Sequence, residues 1–313
     1  MSDPFPWLIR YVEVWVPTED GSHLTLQSSR LVGEEAADAD APGVPDVRPG
    51  EGVAGRAWQQ KSATILQEDP SRVLDGLSDA CGTTLKAVLA IPVFRRHEIR
   101  GVVVLGCGDG LGAAEVWSRD DRDELAVSVG LYAGLPSFEF ISRYTKFPKG
   151  AGIPGKVWTM EQPQLARDPE QSGTFIRSFG NDPAQISAAI GLPVNHAHGF
   201  AGSVLLLLSD AQTPLARDIE LWECRSDPAT DEHHLPVTEL VSTTSLNAEH
   251  NTGTADAAAP EAWQQQILKQ LTATNSPAMF KAENLALPDR AAFSLAIPFF
   301  RGESLTAVLT LLY

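Results

Sequence analysis

The sequence predicts an α+β fold built from small units copied along the chain, and three observations predict it. A glycine-rich turn leading into a short helix occurs twice: Pro49-Gly50-Glu51-Gly52-Val53-Ala54-Gly55-Arg56-Ala57-Trp58 is answered by Lys149-Gly150-Ala151-Gly152-Ile153-Pro154-Gly155-Lys156-Val157-Trp158. A pair of apolar strands joined by a polar turn occurs three times. The chain has 313 residues, which at roughly 100 to 150 residues per domain makes room for two or three cores.

Taken in order, Tyr11-Val12-Glu13-Val14-Trp15-Val16 alternates apolar and polar residues and predicts an opening strand, with a second at His23-Leu24-Thr25-Leu26-Gln27. Residues 33–49 are rich in Ala, Asp, Gly and Pro without periodicity and predict a mobile loop. The glycine turn follows, its helix running to about Lys61, because glycine admits the left-handed backbone a tight turn requires. Ala63-Thr64-Ile65-Leu66 predicts a short strand ending at the acidic Asp69-Pro70 loop. Residues 87–105 around Ile91-Pro92 then predict a hairpin turning at Arg95-Arg96-His97-Glu98. Residues 118–131 read as a capped helix with acids in its first turn, joining the first unit to the second.

In the second unit, Ser137-Phe138-Glu139-Phe140-Ile141-Ser142 reads as the opening strand, with no second strand after it, so this unit looks trimmed. The second glycine turn, a strand ending at Asp168-Pro169 and a hairpin over 188–208 complete it. The third unit opens at Asp218-Ile219-Glu220-Leu221-Trp222-Glu223, with a second strand at residues 234–240 and another mobile loop over 245–260. Its glycine turn is missing. Asn275-Ser276-Pro277-Ala278-Met279-Phe280 aligns with Lys61 to Leu66, and a hairpin over 292–312 ends the chain at Tyr313, without the helix expected after the first hairpin.

Composition removes several function classes. A formal charge of −16, with 24 Lys and Arg in no basic run, argues against nucleic acid. The longest apolar runs are far shorter than the ~20 residues that span a bilayer, and the N-terminus carries no secretory pattern, so a cytoplasmic location is expected. Cys81, Cys107 and Cys224 form no CxxC pair, which argues against a disulfide framework or a structural zinc site. His196, His198, His233 and His234 lack a Cys or acid at ligand spacing, so no metal and no cofactor is expected. Gly50, Gly52 and Gly55 do not make a dinucleotide loop. Residues 41–49, full of proline and acid, are no buried parallel strand, and the helix behind them is too short for a crossover.

An opening strand, a Gly-x-Gly-x-x-Gly turn into a short helix with Trp, an Asp-Pro loop and a hairpin with an Ile-Pro step together resemble GAF domains. The resemblance divides the chain into a first unit over 1–132 with its linker helix, a trimmed second over 133–216 and a degenerate third over 217–313. It implies, for each, a central antiparallel sheet with helices packed on one face and a ligand pocket, when present, on the other. The roles it implies are small-molecule sensing, dimer contacts and regulation through a homodimer or a signalling partner. No effector domain is visible, so the expected function is non-catalytic.

Candidate ligand-binding residues are Trp58, Asp69, Cys81 and Phe94 in the first unit and Trp158 and Asp168 in the second. Trp58 and Trp158 read first as core aromatics and second as pocket walls. Asp69 and Asp168 each precede proline and suit either a cationic ligand or a turn that needs an acceptor. Two alternatives stand beside the sensor. One is an interaction scaffold whose pockets are filled. The other is a thiol enzyme using Cys81, which resembles the free methionine-R-sulfoxide reductases by position; Ala54, Val104 and Gly106 stand where the resemblance would require a second cysteine and the substrate-holding acids. A bilin photoreceptor is excluded because Cys81-Gly82 lacks the neighbouring histidine.

Overall fold

Strong alternation of apolar residues forms three antiparallel sheets, seen in a computed structural model that describes residues 8–32, 44–67, 85–108, 110–169, 186–196, 199–208, 215–226, 238–246, 261–288 and 291–313. The first sheet contains β1 (Ile9–Pro17), β2 (Leu24–Leu31), β3 (Thr64–Leu66), β4 (Ala87–Arg95) and β5 (Glu98–Cys107) in the order β2-β1-β5-β4-β3. The second contains β6 (Gly112–Arg119), β7 (Leu125–Ala133), β8 (Lys146–Phe147), β9 (Gln164–Arg167), β10 (Ala188–His196) and β11 (Gly199–Leu208) in the order β8-β7-β6-β11-β10-β9. The third contains β12 (Asp218–Ser226), β13 (Thr238–Ser245), β14 (Ala278–Lys281), β15 (Phe293–Arg301) and β16 (Ser304–Leu312) in the order β13-β12-β16-β15-β14. With β8 set aside, one strand order occurs three times. Ile91, Leu192 and Ile297 occupy the same register, opposite Val103, Val204 and Leu309. Each hairpin bulges after the second residue beyond these, at Val93/Phe94, Val194/Asn195 and Phe299/Phe300.

Among the described residues four helices join the sheets: α1 (Gly52–Gln60), α2 (Pro136–Tyr144), α3 (Gly152–Met160) and α4 (Ala262–Thr274). The glycine turn is built alike before α1 and α3. Gly50 and Gly150 adopt φ of 90° and 87°, and their N–H groups donate to the carbonyls of Gly55 and Gly155 at 2.8 and 2.9 Å. A Cβ on Gly55 or Gly155 would stand 2.2 or 2.4 Å from the carbonyl oxygen of Arg48 or Pro148, so only glycine lets the helix close on its own entry. The third sheet dispenses with this turn. Glu261 and Gln264 form a capping box for α4 instead, and Asn275 ends it in the left-handed conformation, as Lys61 and Glu161 end α1 and α3.

Two expected elements are corrected. Residues 118–131 form no helix: they are the end of β6, a turn and β7. Asp120 accepts N–H groups of Arg122 and Glu124, so the acids brace a turn, and the alternation through Leu125, Val127 and Val129 belongs to a strand. Residues 137–142 form no strand but lie in α2, where Pro136 starts the helix and buried Phe138 and Ser142 stand one turn apart. The second sheet therefore takes its first two strands from residues 112–133, ahead of the expected boundary at 132/133, and is not trimmed. Most of the loops expected at 33–49 and 245–260, with His198, His233 and His234, lies outside the described residues; Val47 pairs with Leu24.

The second sheet shows how its two faces are used. On one, Ala113, Trp117, Ala189, Leu205 and Leu207 pack with Phe138 of α2 and Ile153, Val157 and Trp158 of α3. On the other, Ile190, Leu192, Val194, Val204 and Leu206 join one core with Leu89, Ile91 and Val93 of the first sheet and Leu295, Ile297 and Phe299 of the third. The face on which the resemblance implies a pocket is thus filled by neighbouring sheets. Edges close the arrangement into a ring. β3 meets β7, where Gln67 donates to the Gly130 carbonyl at 2.7 Å. Arg167 at the end of β9 donates to the carbonyls of Ser245, the last residue of β13, and Leu246, just after it, at 3.1 and 2.6 Å. β14 meets β2, with Pro277 against Gly101.

Candidate functional site

Trp58 sits on the last turn of α1, three residues before the left-handed Lys61. The glycine turn fixes where α1 starts, and contacts with β3, β4 and β5 fix its direction. This leaves the half-buried Trp58 ring at the wall of an open cleft of about 740 Å³. Around it stand Pro17 at the end of β1, Thr18, Glu19 and Asp20 from the turn after it, Gln27 of β2, Lys61, the hairpin residues His97, Glu98, Ile99 and Arg100, and Thr274 and Ser276 at the end of α4. The cleft therefore lies between the first and third sheets.

Charges inside it are held in place. Asp20 accepts hydrogen bonds from the hydroxyls of Thr18 and Ser22, each at 2.7 Å, which lower its carboxyl to about 2 and keep it ionised. The Arg100 guanidinium reaches Glu98 and the Thr274 carbonyl, each at 3.3 Å, placing a cation at the negative end of the α4 dipole. Nearby, Arg95 and Arg96 both bridge to Glu303 of the third sheet.

The second sheet holds the counterpart of this place, and it is shut. Trp158 stacks on Phe200 at 5.8 Å, the Arg119 guanidinium lies 5.3 Å from its ring centre and the Lys149 ammonium 5.6 Å. Counting along matched strands, Phe200 corresponds to Ile99, Arg119 to Pro17 and Lys149 to Pro49. Three long side chains that cover one tryptophan are thus short ones around the other. In the third sheet Thr272 holds the tryptophan position.

The other expected site residues do not gather at the cleft. Phe94 lies across the hairpin from Ile99 but is buried in the shared core and does not line it, because the bulge at Val93/Phe94 turns the strand there. Trp158 is core. Asp168, at φ of 41°, follows β9 and donates its backbone N–H to the Ser187 carbonyl at 2.8 Å. Asp69 and Cys81 lie outside the described residues. Cys107 and Cys224 are free thiols, both pushed up to about 12 by burial, with Glu223 adding to it at Cys224. Among the described residues no group of three His, Cys, Asp or Glu could hold a metal ion, and no helix is long and apolar enough to cross a membrane.

Sequence reasoning missed Glu19, Asp20, Glu98, Arg100 and Thr274, which reach the cleft from turns and from a distant helix. It also missed a motif that marks all three opening strands: Glu13-Val14-Trp15, Glu115-Val116-Trp117 and Glu220-Leu221-Trp222. In each the buried carboxylate accepts from the indole N–H two residues on, at 2.7, 3.0 and 2.7 Å. This triplet was the signal that places the second opening strand at β6.

No family model and no curated protein matches this sequence. Among solved structures, fRMsr of Staphylococcus aureus in complex with substrate is 19% identical over 32% of this chain and 56% of its own, with a TM-score of 0.24. The GAF domain from Acinetobacter phosphoenolpyruvate-protein phosphotransferase is 14% identical over 32% and 56%, with a TM-score of 0.25. A bacteriophytochrome from the photosynthetic bacterium R. palustris is 11% identical over 100% and 84%, with a TM-score of 0.22. The chain spans little more than half the length of the first two. Likenesses this slight carry no argument, and the fold rests on the strand order itself.

Proposed function

We propose that this chain is a non-catalytic regulatory protein of three GAF-like units that binds a small molecule at the Trp58 cleft and acts through a protein partner or a second copy, in the cytoplasm. One observation carries the reading: the tryptophan that is covered by Phe200, Arg119 and Lys149 in the second sheet stands at an open cleft in the first. A closed aromatic seat is a packing feature, whereas an open one with convergent polar groups is what a ligand site requires. The thiol-enzyme alternative would use Cys81; burial raises the thiols of Cys107 and Cys224, which disfavours either as its thiolate partner and would leave the resolving step to an external thiol. The scaffold alternative draws on the filled helix-free face and the closed second seat; it predicts that the cleft stays empty.

A metabolite library screened by thermal unfolding tests this. A compound present at 100 times its Kd adds about 2.7 kcal/mol, enough to raise Tm by several degrees. The expected result is at least one such compound whose effect disappears in Trp58→Leu. Compounds that stabilise both proteins equally, or none at all, would favour the scaffold.

A further inference from the structure

We infer that the Trp58 cleft takes an organic cation, a substituted ammonium or guanidinium group, seated on the indole face. The inference rests on reading the cleft as a ligand site and adds what chemistry it selects. The second sheet supplies the template. There the equivalent indole is already covered by two cations of the chain, Arg119 and Lys149, at distances where the ring quadrupole attracts positive charge. In the first sheet both cations are replaced by prolines, Pro17 and Pro49, and among the described residues no other stands over Trp58. The attraction that the second sheet satisfies internally is left for a molecule from solution.

The surroundings agree in sign. Glu19, Asp20 and Glu98 face Lys61 and Arg100, three carboxylates against two permanent cations. Arg100 is engaged by Glu98 and by the Thr274 carbonyl. Helices α1 and α4 both end at the cleft, so their carbonyl-rich, partially negative termini point toward it. A carboxylate or phosphate ligand would meet these same groups with the wrong sign.

Tetramethylammonium and methylguanidinium chlorides, titrated into the full chain at constant ionic strength against tert-butanol and sodium acetate, test the inference. The readout is the Trp58 indole N–H resonance, assigned by its loss in Trp58→Phe. Both cations are expected to shift it saturably, at one site per chain, and about fivefold or more tighter than tert-butanol. Pro17→Arg, which restores the cation found in the second sheet, is expected to abolish the shift. If that variant misfolds, Asp20→Asn with Glu98→Gln gives the second reading, a several-fold weaker cation titration. Equal or tighter binding of tert-butanol or acetate would overturn the cation assignment while leaving the cleft a ligand site. A resonance that no probe moves would overturn the cation assignment too, and the library screen then decides whether the cleft binds anything.

Discussion

Three carboxylates buried beside tryptophans are the most demanding single residues of this molecule. Glu13, Glu115 and Glu220 are buried, and a carboxyl group so placed needs hydrogen-bond donors, among them the indole N–H groups. Glu220 shows the balance most clearly. Burial raises its pKa above the ordinary carboxylate value, and Asp218 and Glu261 add to this, while hydrogen bonds from Trp222 and Gln264 oppose it. A raised folded-state pKa means that the folded chain holds this proton more tightly than the unfolded chain does. The contribution of Glu220 to stability therefore grows as pH falls through that value and is lost above it. Glu220→Gln, which is neutral throughout, is expected to unfold at higher urea than the parent at pH 7, with the gap narrowing at pH 5. A gap that widens on acidification would show that the ionised carboxylate stabilises the fold.

At the scale of elements, the glycine turn and the hairpins decide where everything else sits. Gly55→Ala and Gly155→Ala force a Cβ against backbone oxygen and are each expected to destabilise by about 2–4 kcal/mol. Gly302→Ala, at φ of 62° with nothing within 4 Å, bears only the left-handed strain, about 1 kcal/mol. Urea midpoints of the three variants check the ranking. These same elements were legible in the sequence, because turn chemistry and strand alternation are local and were written more than once. Residues 118–131 and 137–142 were misread for a physical reason. Acids that brace a turn look like acids at a helix start, and Phe138 recurs with Phe140 at a two-residue spacing but with Ser142 at a helical one. Of the cleft, Trp58 was legible from its motif. Asp20 and Glu98 were not, since the pairing of β1 with β5 brings their distant turns together, and Thr274 joins them only where the third sheet docks on the first.

Across the whole molecule, the ring makes stability a shared property. Residues of all three sheets form one core, so Leu192→Ala, expected to destabilise by about 2–5 kcal/mol, acts on all of them. Hydrogen exchange is expected to show β1, β6 and β12 losing protection together; loss confined to β6, β10 and β11 would mean that the sheets unfold separately. The ring also hides strand edges, since β2 and β3 face β14 and β7, which limits edge-to-edge association with other molecules. A trimer of identical subunits would have to present three like seats or none, because symmetry copies every residue. Carrying the three sheets on a single polypeptide removes that constraint: one indole can be covered by the chain's own cations, another position given to threonine, and the last left at an open cleft. On the proposed reading of the Trp58 cleft, binding is monovalent: occupancy would follow a simple hyperbola and draw no avidity from the threefold form.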